Sequence, residues 1–174
     1  MKTLAYILFI FSTFTAYIPS YSVNDKIAEV PEQRRPNMLL GEFEPNELEQ
    51  APYTQWYTPN YKRTRLDENR IAHLKTLLEK KEIEILGFVG SWCGDTKREL
   101  PILMKILDRI DFDTDKLTLT GVNYQYQAPD GSNKIWEVRR VPTFIILEDG
   151  KEIGRFVERS QVSLLEDFIK ILEQ

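Results

Sequence analysis

The run Ile83-Glu84-Ile85-Leu86-Gly87-Phe88-Val89 restricts the fold of this chain more than any other feature. Its apolar residues are nearly continuous, so the strand it forms has no water-facing side and must be covered on both faces. The run breaks at Gly90-Ser91-Trp92-Cys93-Gly94, after which Leu100, Leu103, Met104 and Leu107 recur at helical spacing. A buried strand that stops at glycines and passes directly into an amphipathic helix fits a layered α/β domain.

The flanking patterns extend this reading. Asp67 can cap a helix in which Ile71, Leu74, Leu77 and Leu78 share one face, and Lys80-Lys81 close it with cations suited to a helix C-terminus. Pro101 falls inside the helix after Cys93 and is expected to kink it. Leu117, Leu119 and Val122 alternate as a strand, and a polar loop follows through Pro129-Asp130-Gly131. Thr143 to Leu147 and Lys151 to Val157 read as two antiparallel strands joined at Glu148-Asp149-Gly150. Val162, Leu165, Phe168, Ile169 and Leu172 mark a last helix, with Ser160 or Ser163 as its cap. The expected fold is therefore α/β and three-layered. Its mixed central sheet is parallel at first and ends in an antiparallel hairpin, with helices on both faces.

Three stretches are distinguished along the chain. Residues 1–22 carry a positive start at Lys2, an unbroken apolar run from Leu4 to Phe11, and small residues at Ser20 and Ser22, the layout of a signal peptide. Ser12, Thr13 and Thr15 interrupt the run, which falls short of the roughly 20 apolar residues of a membrane span. No cysteine follows to take a lipid, so the expectation is export to a periplasm or the extracellular space, with no membrane attachment after cleavage. Residues 23–60 contain Pro31, Pro36, Pro45, Pro52 and Pro59, too closely spaced for a long helix, and read as an extended approach segment. Its aromatics, Tyr53, Trp56 and Tyr57, with Tyr61 just beyond, are expected to pack onto the domain rather than bind a ligand. Residues 61–174 form the domain itself.

Charge and side-chain inventory exclude several functions. The 174 residues carry a formal net charge of -4 without a basic face, which argues against nucleic acid or anionic lipid as partner. A single cysteine, Cys93, permits neither an internal disulfide nor a cysteine zinc cluster, and a single histidine, His73, leaves little to hold a transition metal. No metal or other cofactor is expected. His73, Lys97, Arg139 and Arg140 read as surface residues.

The segment Gly90-Ser91-Trp92-Cys93-Gly94-Asp95-Thr96-Lys97, with Pro101 behind it, resembles the active-site segment of the thioredoxin superfamily. There, a tryptophan, a cysteine, two further residues, a second cysteine and a lysine end a strand and open a helix. Val141-Pro142-Thr143, placed just before an apolar strand, is similar to that family's cis-proline loop, and the hairpin turn and last helix follow in family order. The likeness covers roughly the last hundred residues. It implies a thioredoxin-like fold, catalytic positions at Cys93, Thr96 and Pro142, and substrate contacts at Trp92, Gly94, Asp95, Val141 and Thr143. In that setting Val141 would offer its backbone to an extended substrate peptide. Two departures stand out. Thr96 occupies the place of the second cysteine, giving Cys-Gly-Asp-Thr, and Gly87 occupies the place of a buried acid that helps move the second cysteine's proton.

The chemistry of Cys93 can also be argued from its surroundings. A cysteine opening a helix meets unpaired N–H groups and the positive end of the helix dipole, both of which favour the thiolate. Trp92 shields one side, Gly94 lets a partner backbone approach, and Asp95 opposes the thiolate while suiting the helix N-terminus. The plain alternative is a buried, inert thiol. Thr96 can donate a hydrogen bond to a thiolate but cannot displace a mixed disulfide, so half of thiol–disulfide exchange remains. The expected function is an exported monothiol oxidoreductase acting on protein or small-molecule disulfides and released by an external thiol. Its rival is a non-catalytic peptide-binding or chaperone module on the same fold. A one-cysteine peroxidase is disfavoured, since the related pattern places its threonine before the cysteine.

Overall fold

The computed structural model describes residues 38–174. The expected leader, residues 1–22, and the approach segment up to residue 37 lie outside the described residues.

A five-stranded sheet runs in the order β1-β3-β2-β4-β5, with β1 at Gly41–Phe43, β2 at Ile83–Val89, β3 at Leu117–Gly121, β4 at Thr143–Glu148 and β5 at Lys151–Val157. Only β2 and β3 are parallel; β1 with β3, β2 with β4 and β4 with β5 are antiparallel. The helices are α1 (Thr54–Arg63), α2 (Glu68–Leu78), α3 (Gly94–Arg109), the one-turn α4 (Ser132–Ile135) and α5 (Leu164–Leu172).

Strand periodicity sorts the side chains into two layers. Ile83, Ile85 and Val89 of β2 and Phe144 and Ile146 of β4 point into the larger core, where they meet buried residues of α1, α2, α3 and α5. Phe88 of β2 and Ile145 and Leu147 of β4 point the other way, against Val122, Ala128, Val138 and Val141 of the β3–β4 connection. The double covering that β2 demands is thus met unequally, by four helices on one face and by a connection carrying only α4 on the other.

Caps explain the helix starts. Asp67 accepts from the N–H groups of Asn69 and Arg70 at the head of α2, and Ser163, rather than Ser160, accepts from Glu166 N–H at the head of α5. Arg70 then grips both oxygens of Glu166 at 2.6 Å each, tying α2 to α5 and holding the Glu166 carboxyl below its ordinary range.

The approach segment is corrected by the structure: from residue 38 onward it is folded. Strand β1 pairs with the edge of β3, a 3₁₀ turn follows at Pro45–Glu49, and α1 is a ten-residue helix. The prolines are compatible with this because of where they fall. Pro45 opens the 3₁₀ turn, and Pro52 precedes α1, positions that require no backbone N–H. Pro59 lies inside α1, but both it and Gln55, whose carbonyl it leaves unpaired, face solvent. Leu39, Phe43, Leu48 and Tyr57 are buried in the main core, and Tyr53, Trp56 and Tyr61 pack against it.

Pro101 has a specific partner arrangement. Helix α3 continues through it to Arg109, yet Pro101 has no N–H for the carbonyl of Lys97, four residues earlier. That carbonyl instead accepts from the side-chain amide of Asn60 on α1 at 2.9 Å. Lys105 Nζ adds a second tie, donating to Tyr61 O at 3.1 Å.

Two substitutions test how far this segment belongs to the domain. Leu48→Ala, at a fully buried site, is expected to cost about 2–5 kcal/mol in denaturant unfolding. Asn60→Ala, which strands the Lys97 carbonyl, should cost about 1–3 kcal/mol, whereas Gln55→Ala on the exposed face of the same helix should change little.

Candidate functional site

Cys93 stands where β2 ends and α3 begins. Its N–H closes a turn onto Gly90 O at 2.8 Å, and its own extended backbone makes it the N-cap of α3, with its carbonyl receiving Lys97 N–H at 3.1 Å. The side chain makes no capping bond. It is half-buried, and Sγ donates to Val141 O at 3.3 Å. The sulfur is therefore neither entombed nor fully exposed.

Val141 lies just ahead of β4, whose first residue, Thr143, pairs with Phe88 near the end of β2. The Val141–Pro142 peptide bond is cis, and both residues are buried. Pro142 O accepts Glu158 N–H at 2.8 Å, and the Thr143 hydroxyl donates to Arg140 O at 2.8 Å. Thr143 is thus occupied in shaping the loop, and Val141 O is already engaged by the sulfur.

Thr96 faces the strand end rather than the sulfur. It is fully buried, and its hydroxyl oxygen accepts from Gly90 N–H at 3.2 Å rather than pairing with the Cys93 sulfur. The reason is geometric: three residues beyond Cys93, on the inner side of α3, the hydroxyl meets the end of β2. It fastens the strand-to-helix turn on which Cys93 sits. Ser91 fastens the same turn from outside, its Oγ accepting Leu39 N–H at 3.1 Å.

Trp92 lies back over Gly90, where an added Cβ would come within 2.7 Å of the indole. Its Nε1 donates to Val122 O at 3.1 Å. The exposed side of the ring is met by Tyr124 and Tyr126, with ring centroids 5.0 and 5.9 Å away. Sequence reasoning passed over these two tyrosines as part of a polar loop. Gly94 is exposed, with nothing within 4 Å of where its Cβ would be, so one approach to Cys93 is open.

The charge at the head of α3 is compensated. Asp95 Oδ1 meets Arg98 Nη1 at 2.9 Å and Arg159 Nε at 3.1 Å, so the acid that would repel a thiolate is flanked by two guanidinium groups. Arg98 also donates through Nε to Glu99 Oε1 at 2.9 Å. Glu99 is buried, and its Oε2 has no hydrogen-bond partner among the described residues. Burial pushes its carboxyl upward, against the pull of Arg98. By contrast, a Cβ at Gly87 would lie 2.7 Å from Leu119 Cδ2, so a side chain there would require Leu119 to shift. Arg139 and Arg140 are exposed, Arg140 pairing with Glu158, and His73 pairs with Glu173 at the surface.

A mixed sheet whose central strand delivers a tryptophan–cysteine pair to a helix N-terminus, beside a proline loop, defines a thioredoxin-like α/β protein. The thioredoxin family profile matches residues 66–171, and the chain belongs to the thioredoxin family. It is 27% identical over 104 residues to Thioredoxin H-type 1 of Nicotiana tabacum, covering 56% of this chain and 73% of that one. It is 29% identical over 102 residues to the chloroplastic Thioredoxin Y of Oryza sativa subsp. japonica, covering 54% of each. Among solved structures, a protein of unknown function from Pseudomonas aeruginosa superposes with a TM-score of 0.54 at 17% identity, covering 71% of this chain and 86% of that one. An HIV epitope-scaffold superposes with a TM-score of 0.55 at 16% identity over the same shares. These two likenesses are of fold alone.

The raised Glu99 carboxyl has a measurable consequence. The folded state holds this proton more tightly than the unfolded state, so its contribution to stability is complete below the ordinary glutamate range and is lost as pH rises through the folded value. Glu99→Gln cannot titrate. Its unfolding temperature relative to the natural protein should therefore rise between about pH 4 and about pH 8, and a flat difference would contradict the assignment.

Proposed function

We propose that this chain is an exported monothiol thiol–disulfide oxidoreductase that works by forming mixed disulfides through Cys93. The observation that carries this reading is the half-buried sulfur at the N-cap of α3, in a chain with no second cysteine to displace what it captures. Kinship with thioredoxins supports disulfides as the substrate and thiols as the co-reactant. The leader-like residues 1–22 support export to a periplasm or the extracellular space.

The reaction has two balanced halves. The Cys93 thiolate attacks one sulfur of a disulfide, forming a new S–S bond as the other sulfur leaves with the electron pair as thiolate. A second thiolate, from an external thiol or from the substrate itself, then attacks the mixed disulfide and returns Cys93. Thr96 cannot perform this second step, since a hydroxyl forms no disulfide. The activity suited to such a site is isomerisation, deglutathionylation or trapping rather than a complete reductase cycle.

A second reading, a non-catalytic peptide-binding or chaperone module, is favoured by features that do not need the sulfur: the Val141–Thr143 loop and the exposed tyrosines beside Trp92. Cys93→Ser separates the two. The purified protein is expected to form a stable one-to-one adduct with a small disulfide and to reduce insulin poorly unless thiol is added, and Cys93→Ser should form no adduct. Partner capture that survives in Cys93→Ser would favour the binding module, and rapid insulin reduction without added thiol would exclude the monothiol scheme.

A further inference from the structure

The turn carrying Tyr124 and Tyr126 is built more firmly than a solvent loop requires. Asn123 N–H donates to Gln127 O at 3.0 Å, and Tyr126 N–H to Asn123 O at 2.9 Å. Asn123 Oδ1 accepts from the N–H groups of Gln125 and Gln127, at 2.9 and 3.0 Å. Tyr126 adopts the left-handed conformation with φ of 59°, uncommon for a residue with a side chain. Five residues are thereby locked into one shape, and that shape sets two phenol rings against Trp92.

The rings are not core. Tyr124 is 61% exposed and Tyr126 36%, while the indole between them and Gly90 is pinned by its bond to Val122 O. The stretch that carries them is also free of charge: every residue from Leu117 to Pro129 is uncharged, in a chain that is 29% charged. Exposed aromatic faces held rigid beside a half-buried sulfur offer contact area at low entropic cost. Without a charged partner in the turn, nothing there compensates a charged side chain for lost water.

The geometry points to Tyr124 and Tyr126, together with Trp92, as the specificity-determining surface of the Cys93 site, selecting disulfides on peptides with an uncharged aromatic or aliphatic side chain next to the half-cystine. This rests on the reading of Cys93 as a thiol–disulfide nucleophile and names the substrate class of that site. The open flank at Gly94 lets the peptide backbone pass, and Val141 bounds the other side of the sulfur.

The test uses two peptides of equal length, one with phenylalanine and one with aspartate beside a single cysteine, each activated as its mixed disulfide with thionitrobenzoate. Cys93 thiolate attacks the peptide sulfur, and the bond to thionitrobenzoate breaks. The electron pair leaves with that coloured thiolate, whose absorbance gives the rate. For the natural protein the phenylalanine peptide should react roughly tenfold faster, the scale set by one or two aromatic contacts. Tyr124→Ala and Tyr126→Ala should each bring the ratio towards unity, and Tyr124→Phe, which keeps the ring, should retain it. Iodoacetamide alkylation of every variant separates a general change in the sulfur from a change in selectivity. If the natural protein reacts with neither peptide, the reading of Cys93 fails. If it reacts with both, a ratio near unity, or a ratio that both alanine variants preserve, overturns this proposal and leaves that reading in place.

Discussion

The structure depends on a central strand that is covered on both faces along most of its length. Because β2 sends Ile83, Ile85 and Val89 into one core and Phe88 into the other, two layers close over it, leaving Glu84 near its start exposed and its C-terminal end buried. There the chain leaves the sheet through Gly90 and Ser91 and enters α3 at Cys93. The cysteine is half-buried because, like Trp92, it packs at the margin of the smaller core, against buried residues that include Val141. A site at this position draws its rigidity from packing below and its access from the open flank at Gly94.

The segment before α2 contributes to the same rigidity through bonds that no helical or strand period announces. Pro101 deprives the Lys97 carbonyl of its helical partner, and Asn60 supplies one from α1. Leu39 N–H bonds Ser91 in the turn ahead of Cys93. The head of α3 is thus held from two sides by residues far earlier in the chain, and the turn is held from within by Thr96 and Gly90. What looked like an appendage is a brace for the site.

The long elements were legible because each carries a period. The stripes of α2, α3 and α5, the hairpin of β4 and β5, and the alternation in β3 all follow from apolar spacing. The three residues of β1 and the single turn of α4 are too short to show one, and α1 was obscured by counting prolines without asking which of them need a backbone N–H. At the site, Cys93, Trp92 and the proline loop could be placed from local pattern and resemblance. The partner of the Thr96 hydroxyl could not, since it depends on how α3 lies against β2. Arg159 was equally hidden, reaching Asp95 from just beyond β5, the edge strand two places from β2. The tyrosines did leave a signal: two aromatics among amides and small residues, in a stretch without charge, have a reason to be exposed.

The departures from the two-cysteine motif form a consistent set once the contacts are considered. A second cysteine at position 96 would sit fully buried, and its exchange chemistry would call for a proton acceptor beneath it. Here Leu119 packs against Gly87 instead of an acid, and the buried acid of the region, Glu99, lies on α3 and is tied to Arg98. Threonine fits the same position because its hydroxyl needs no proton transfer and satisfies Gly90 N–H. Charge is managed in parallel. Asp95 would discourage a thiolate two residues away, but Arg98 and Arg159 share its carboxylate, so the acid holds the helix head in place without leaving a bare negative charge beside the sulfur. Thr96 and Gly87 each lack a demand that a second cysteine would have made, and the Asp95 pairings bear on Cys93 itself, leaving a site arranged around one sulfur.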